Sequence, residues 1–261
     1  MSRVLGNRSV RRIASAPFTA AHYSALWGSL KVYPHPLQAM ARYIFGGGAY
    51  PYRCQLRTPL GRQEVRLWHP DDMQTVTEVF CRGDYAAATD VRNVVDIGSN
   101  IGVSALYFLT RNPQGRCHLY EPDPRNVEKL RANLGRFEDR YRLHEYAVAD
   151  RDGTVDFGIE ETGRYGGIGA NRPDTIQVEC RDVNAVLDEI LAEAEEIDVL
   201  KVDAEGVEET IVRAIRPDLL RRIKVIYFEM GDPIAPLHTS LFEHSRRMQI
   251  ERLVRRTEIS G

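Results

Sequence analysis

The chain has 261 residues, is 43% hydrophobic and carries a formal net charge of -2, which suits one large α/β domain or a domain with a small appendage. The overall charge argues against nucleic acid as a partner. No stretch reaches the about 18 uninterrupted apolar residues that a membrane span needs, so the expected location is cytoplasmic.

The first 63 residues hold nine basic side chains (Arg3, Arg8, Arg11, Arg12, Lys31, Arg42, Arg53, Arg57 and Arg62) and no acid. Such a start fits an organelle transit peptide or a basic arm that touches a partner, a second copy of the chain or an acidic substrate. Arg occurs 31 times and Lys four times, a bias expected of a GC-rich bacterial genome, and this favours the arm. Helices are expected around Ala14 to Leu30 and Pro36 to Ile44, followed by Gly46-Gly47-Gly48. Residues 1–50 thus read as a cap, and residues 51–261 as the main domain. Tyr52 to Thr58 and Gln63 to Trp68 form a hairpin by turn chemistry and alternation. Asp71 or Asp72 caps a helix that runs to about Phe80. These elements, within 51–92, lead into a core at 93–261.

From Asn93 strands alternate with helices, the pattern of a mostly parallel sheet with helices on both faces. Strand Asn93 to Ile97 precedes helix Val103 to Thr110, and strand His118 to Tyr120 precedes helix Pro124 to about Gly135. Tyr141 to Val148 makes the third strand. Thr154 to Ile159 and Thr175 to Cys180 flank the tip Gly163-Arg164-Tyr165-Gly166-Gly167-Ile168-Gly169, a hairpin. Asn184 to Ala194 is helical by period. Strand Ile197 to Val202 leads to a helix from about Gly206 to Ile215, and strand Lys224 to Phe228 to a loop with Pro233 and Pro236. Ser240 to Met248 is expected as a helix and Ile250 to Ile259 as the last strand. Cys54, Cys81, Cys117 and Cys180 stand far apart, without zinc-ligand spacing, and read as reduced, packed thiols.

In an open α/β sheet, ligands sit outside the carboxyl ends of the strands, next to the first. There the chain reads Asp96-Ile97-Gly98-Ser99-Asn100-Ile101-Gly102. Gly98 permits a sharp turn, Gly102 lets the helix come close, and Asn100 tolerates left-handed backbone. A dinucleotide site carries a third glycine at the Asn100 position to admit a pyrophosphate. S-adenosylmethionine has no pyrophosphate and does not need it. Glu121, 19 residues after Gly102 and followed by Pro122, is placed to accept both ribose hydroxyls. An acid at similar distance also marks dinucleotide folds, so Glu121 discriminates only together with Asp96 and Asn100. Asp123 already serves as the helix-start acid.

The runs Val94 to Gly102, Tyr120-Glu121-Pro122 and Leu200-Lys201-Val202-Asp203-Ala204-Glu205-Gly206-Val207-Glu208 are similar to the FkbM-type methyltransferases, and the approach from Asp71-Asp72 to Tyr85 resembles them too. The likeness runs from about Tyr52 to Met230. It leaves out the first 50 residues and puts the usual last hairpin of the sheet in question. The resemblance implies a Rossmann-like class I methyltransferase fold and S-adenosylmethionine as cofactor. It also implies O-methylation of a hydroxyl on a small-molecule secondary metabolite or sugar.

Methyl transfer to an alcohol is an in-line displacement in which the alcohol loses its proton, so the site needs orientation plus a base or a metal. Asp203, at the carboxyl end of its strand and on the same side as Lys201, is the candidate base or Mg²⁺ ligand, with Glu205 and Glu229 as neighbours. The plainer reading pairs Lys201 with Asp203 and makes Glu205, Glu208 and Glu209 first-turn acids. His238 is an alternative base, and His144 a core or edge residue. The end of the third strand, Tyr146, Ala147 and Asp150, is the expected adenine platform. Two other readings compete: a nicotinamide-dependent oxidoreductase, and a non-catalytic adenosylmethionine-binding or partner-binding protein.

Overall fold

The computed structural model describes residues 4–5, 8–9, 20–160, 162–163, 166–169, 172 and 174–256. The expected helix start at Ala14, the tip residues Arg164 and Tyr165 and the strand end at Ile259 lie outside them. The chain divides into two compact units, Met1–Ala86 and Ala87–Gly261.

In the first unit, β1 (Val4–Leu5) pairs with β2 (Arg8–Ser9). Helices α1 (Ala20–Val32) and α2 (Pro36–Phe45) follow, then the antiparallel hairpin β3 (Tyr52–Thr58) and β4 (Gly61–Leu67). Helix α3 (Asp72–Val76) runs into a π-helical turn, Thr77–Arg82. Neither expected cap holds in the expected way. Asp71 makes no side-chain cap bond, and Asp72 Oδ2 instead accepts the Trp68 and His69 N–H groups at 2.7 and 2.9 Å, which ties the preceding turn. Within this unit the hairpin and the π-helical turn bond back to the exit of α1. The Tyr33 hydroxyl lies 3.3 Å from Thr77 Oγ1, and Arg57 Nη1 donates to the Tyr33 carbonyl at 3.0 Å.

The second unit carries β5 (Asn93–Ile97), α4 (Val103–Leu109), β6 (Arg116–Tyr120), α5 (Pro124–Leu134), β7 (Tyr141–His144), β8 (Ala147–Ala149), β9 (Gly153–Ile159), β10 (Gly167–Ile168) and β11 (Asp174–Asp182). It continues with α6 (Val183–Glu193), β12 (Ile197–Val202), α7 (Glu208–Ala214), α8 (Pro217–Leu220), β13 (Ile223–Glu229), β14 (Phe242–Arg247) and β15 (Ile250–Arg255). The main sheet has the order β14-β15-β13-β12-β5-β6-β7. From β13 to β7 all neighbours are parallel, and β15 and β14 close the edge antiparallel. Val95, Leu200, Val202, Ile226 and Phe228 are fully buried, and Val186, Leu187, Ile190 and Ile211 of α6 and α7 pack against them. Strands covered on both faces read as nearly continuous apolar runs, and this is why the expected α/β architecture is found.

Two expectations are corrected. The run Tyr141 to Val148 is not one strand. β7 pairs with β6 as far as Tyr120 against His144, and after Tyr146 the chain crosses to a second sheet, order β10-β9-β11-β8, where Ala147–Ala149 runs parallel to Cys180–Asp182. β8 buries Ala147, Val148 and Ala149, while Tyr141 and Leu143 of β7 are half-buried, so the break leaves no gap in the hydrophobic pattern. Ser240 to Met248 is not a helix: Phe242–Arg247 is a strand whose residues alternate between less and more exposed positions. Two of its inward positions are the polar His244 and Arg246, which conceals the period of two. The last hairpin of the sheet is therefore complete.

Register sets the site. Val202 is level with Ile97 on one side and Phe228 on the other, and Ile97 is level with Tyr120. The next residue of each strand, Glu229, Asp203, Gly98 and Glu121, leaves the carboxyl edge in one row.

Candidate active site

The turn after β5 is held from both sides. The Gly98 and Ser99 N–H groups donate to the Tyr120 carbonyl, each at 3.0 Å, and Ser99 Oγ donates to the Asp96 carbonyl at 2.8 Å while receiving the Tyr120 N–H. Gly98 has φ +77°, and a Cβ there would lie 1.8 Å from the Asp203 carbonyl oxygen, so only glycine fits between the two turns. Asn100 takes φ +48°, as its side chain allows. Its Oδ1 accepts the Ile101 N–H at 2.8 Å, and its Nδ2 donates to the Gly163 carbonyl at 3.1 Å. Gly102 stands at the N-cap of α4.

Glu121 is buried and bound to this turn. Oε2 accepts the Asn100 N–H at 2.8 Å, and Oε1 accepts the Asp123 N–H at 2.9 Å. Burial pushes its carboxyl up to about 7, against the pull of those two donors. Pro122 follows it, and Asp123 caps α5 by accepting the Arg125 N–H.

Asp96 is not exposed to a ligand. It is 0% accessible, its Oδ2 accepts from Ser104 Oγ at 2.6 Å, and its Oδ1 accepts from Lys201 Nζ at 2.9 Å. Lys201, 2% accessible, also donates to the Gly98 carbonyl at 3.0 Å and lies 3.3 Å from Asp203 Oδ2. Burial works against the ammonium, but the Asp96 and Asp203 carboxylates beside it outweigh burial and keep it charged. Lys201 therefore clamps the two turns and fixes Asp203, whose side chain is 28% exposed and whose N–H donates to the Ile97 carbonyl at 3.0 Å.

The other candidates are spread around this row. Glu205 adopts φ +42° just before Gly206, and Glu208 Oε2 accepts the Gly206 N–H at 2.8 Å, so Glu208 shapes the turn into α7. Glu229 ends β13, half-buried and level with Asp203. Among the described residues no three His, Cys, Asp or Glu side chains form a metal-ligand group, so Asp203, Glu205 and Glu229 are not a preformed one. His238 is turned toward α7, with Nε2 2.8 Å from the Val212 carbonyl. At the expected adenine platform, Ala147 is buried in the second sheet, Asp150 is exposed next to Arg151, and Tyr146 receives a bond from Arg181 Nη1 at 3.3 Å. His144 stacks on Tyr120 at 4.6 Å between ring centroids, as a core or edge residue. All four cysteines are free and buried.

Two participants escape a reading of the sequence. Lys201 is visible only as a partner of Asp203, whereas its bonds to Asp96 and Gly98 span β12 and β5. Asn126, the third residue of α5, donates through Nδ2 to the Gly163 carbonyl at 2.7 Å and lies 3.5 Å from Glu121 Oε1. One asparagine in a polar helix start gives no sequence signal.

A strand, a glycine turn, a helix and a buried acid at the next strand end thus meet at the carboxyl edge of the sheet, where open α/β sheets take their ligands. The model of the methyltransferase FkbM domain matches residues 96–253, and the chain belongs to that family. It is similar to the 2-O-methyltransferase NoeI of Sinorhizobium fredii, with 31% identity over 159 residues, 53% of this chain and 63% of that protein. It thus spans less than two thirds of that relative. It is also similar to Methyltransferase 1 of Beauveria bassiana, with 25% identity over 199 residues, 67% of this chain and 76% of that one. Among solved structures, the methyltransferase FkbM from Methylobacillus flagellatus KT aligns with a TM-score of 0.42 and 19% identity, covering 59% of this chain and 36% of that one.

Proposed function

We propose that the chain transfers a methyl group from S-adenosylmethionine to a hydroxyl of a small molecule or sugar. The observation that carries this reading is the row at the sheet edge, with the Glu121 carboxylate and the Gly98 turn at one end and the Asp203 carboxylate beside them. Glu121 and the Gly98–Gly102 turn would hold the nucleoside. Asn100, bonded at both ends of its amide, stands where a dinucleotide turn carries its middle glycine, which favours this cofactor over a nicotinamide dinucleotide. S-adenosylmethionine supplies an electrophilic methyl group on a sulfonium.

Asp203 would orient the acceptor hydroxyl and take its proton as the oxygen forms its new bond. The charged Lys201, 3.3 Å from Asp203 Oδ2, holds that carboxylate at the strand end. Were Mg²⁺ bound instead, Asp203 with Glu205 or Glu229 would hold it, and it would supply the acidification of the hydroxyl. NoeI is a 2-O-methyltransferase, which supports oxygen as the acceptor atom.

Calorimetry with adenosylhomocysteine and NAD, followed by label transfer from methyl-labelled cofactor to a panel of sugars and hydroxylated metabolites, tests the reading. Binding of adenosylhomocysteine alone and label on an acceptor oxygen are expected. Binding of NAD alone would make the chain an oxidoreductase. Cofactor binding without label transfer to any acceptor would favour a sensor.

A further inference from the structure

The Asn126 side chain is 2% accessible. Its Nδ2 faces two acceptors, the Gly163 carbonyl at 2.7 Å and Glu121 Oε1 at 3.5 Å. Those acceptors fix which way the amide points, since an oxygen in the place of Nδ2 would meet oxygen on both sides. The opposite atom, Oδ1, is buried and has no hydrogen-bond partner among the described residues. A buried polar atom in that state calls for an explanation.

A ribose offers one. Its vicinal hydroxyls present two O–H donors, and a carboxylate beside an amide oxygen presents acceptors for both. Gly163 adds a second sign. A Cβ on it would come within 2.5 Å of Asn126 Oδ1, and its φ is +76°, so the residue that covers this oxygen is one that puts no side chain on it.

Resting on the cofactor reading above, we propose that Asn126 is a second ribose-binding residue: Glu121 accepts one hydroxyl and Asn126 Oδ1 the other, beneath Gly163. In this arrangement the nitrogen of the amide stays on the Gly163 carbonyl, which ties the β9–β11 hairpin to the nucleoside site, while the oxygen reads the ligand.

The test is a set of binding measurements by calorimetry on the full chain, using adenosylhomocysteine and its 2′-deoxy and 3′-deoxy analogues. The wild type should prefer adenosylhomocysteine to at least one deoxy analogue by about tenfold, the scale of one hydrogen bond to a buried group. In Asn126→Ala, affinity for adenosylhomocysteine should fall by about tenfold, affinity for that analogue should stay nearly unchanged, and the preference should vanish. Gly163→Ala, which leaves Asn126 in place and sets a methyl over Oδ1, should erase the preference in the same way, and it serves if Asn126→Ala does not fold. An equal loss for all three ligands would give Asn126 a structural role only and overturn the proposal, as would an undiminished preference in the folded variants. Failure of the wild type to bind adenosylhomocysteine at all would overturn the cofactor reading and this proposal with it.

Discussion

At the Glu121 end of the row the polar atoms are bound to backbone, whereas at the Asp203 end single side chains carry the arrangement. Glu121 receives two main-chain N–H groups, and Asn100 and Ser99 are bonded to neighbouring main chain. Asp203 is partly exposed and is steered by one buried lysine. Backbone-directed bonds follow from a turn's shape, so that end is set before any ligand arrives. A site built from side chains on strand ends and loops can change its acceptor without disturbing the fold. The cofactor end should therefore respond to substitution with lost binding, and the acceptor end with lost turnover.

Lys201 belongs to both ends, so its removal is the strongest way to break the contrast. Lys201→Met leaves Asp96 buried without its cation, a loss of about 3–5 kcal/mol when one partner of a buried pair is removed. Urea unfolding should show a large drop in midpoint, largely recovered in Asp96→Asn/Lys201→Met. An unchanged midpoint in the single variant would mean that the clamp does not hold the two turns.

Asp203→Asn sharpens the contrast at the acceptor end. It keeps size and hydrogen bonding but removes the charge, and kcat should fall by about 100-fold or more, the range for a lost general base, while the Kd of adenosylhomocysteine stays within about twofold. Assays with EDTA separate the two roles: activity lost and then restored by Mg²⁺ assigns a metal, and indifference assigns the base. Turnover at the wild-type rate would move the catalytic group to Glu229.

The same difference governs what could be read without coordinates. The Asp96–Gly102 turn, the Glu121 acid and the strands Asn93–Ile97 and Ile197–Val202 were legible because local rules fix them: glycine at positive φ, a period of strands and helices, an acid at a strand end. Legibility ended where contacts are long-range. Asp96 looks like a ligand residue from its place in the turn, but its buried bond comes from Lys201 on another strand. The break after Tyr146 was hidden because both sheets reward the same apolar residues. The polar inward face of Phe242–Arg247 answers to a partner, Glu251, which lies 2.8 Å from His244 Nε2 and forms an ion pair with Arg246 across the hairpin.

Glu121→Ala tests the cofactor end directly. It removes an acceptor of two main-chain donors and, on the proposed reading, of a ribose hydroxyl, so adenosylhomocysteine affinity should weaken by about 1.5–3 kcal/mol, the scale of hydrogen bonds to a charged group. Once cofactor is saturating, kcat should recover most of its value, unlike in Asp203→Asn. Unchanged affinity would remove Glu121 from the ribose site.

The smallest expected effect is one of pH, and it gives the two ends different signatures. Burial raises the Glu121 carboxyl from its ordinary 4.5 to about 7, so the free protein favours its neutral form. The stability that this contributes is complete below about pH 4.5 and is lost as pH rises through about 7. Ligand binding runs the other way, because hydroxyl donors prefer the ionised carboxylate. From pH 6 to pH 8 the ionised fraction of a group with a pKa near 7 rises from about a tenth to about nine tenths. Adenosylhomocysteine affinity should therefore increase by about tenfold over that range while the unliganded fold loses stability. Asp123, the other acid beside Glu121, adds to the upward push and caps α5. Glu121→Gln should flatten the affinity profile, whereas Asp203→Asn should leave it in place and change only turnover. A wild-type affinity that does not move between pH 6 and pH 8 would show that the neutral carboxyl binds equally well, and the ribose hydroxyls would then have to be held by Asn126 and the turn.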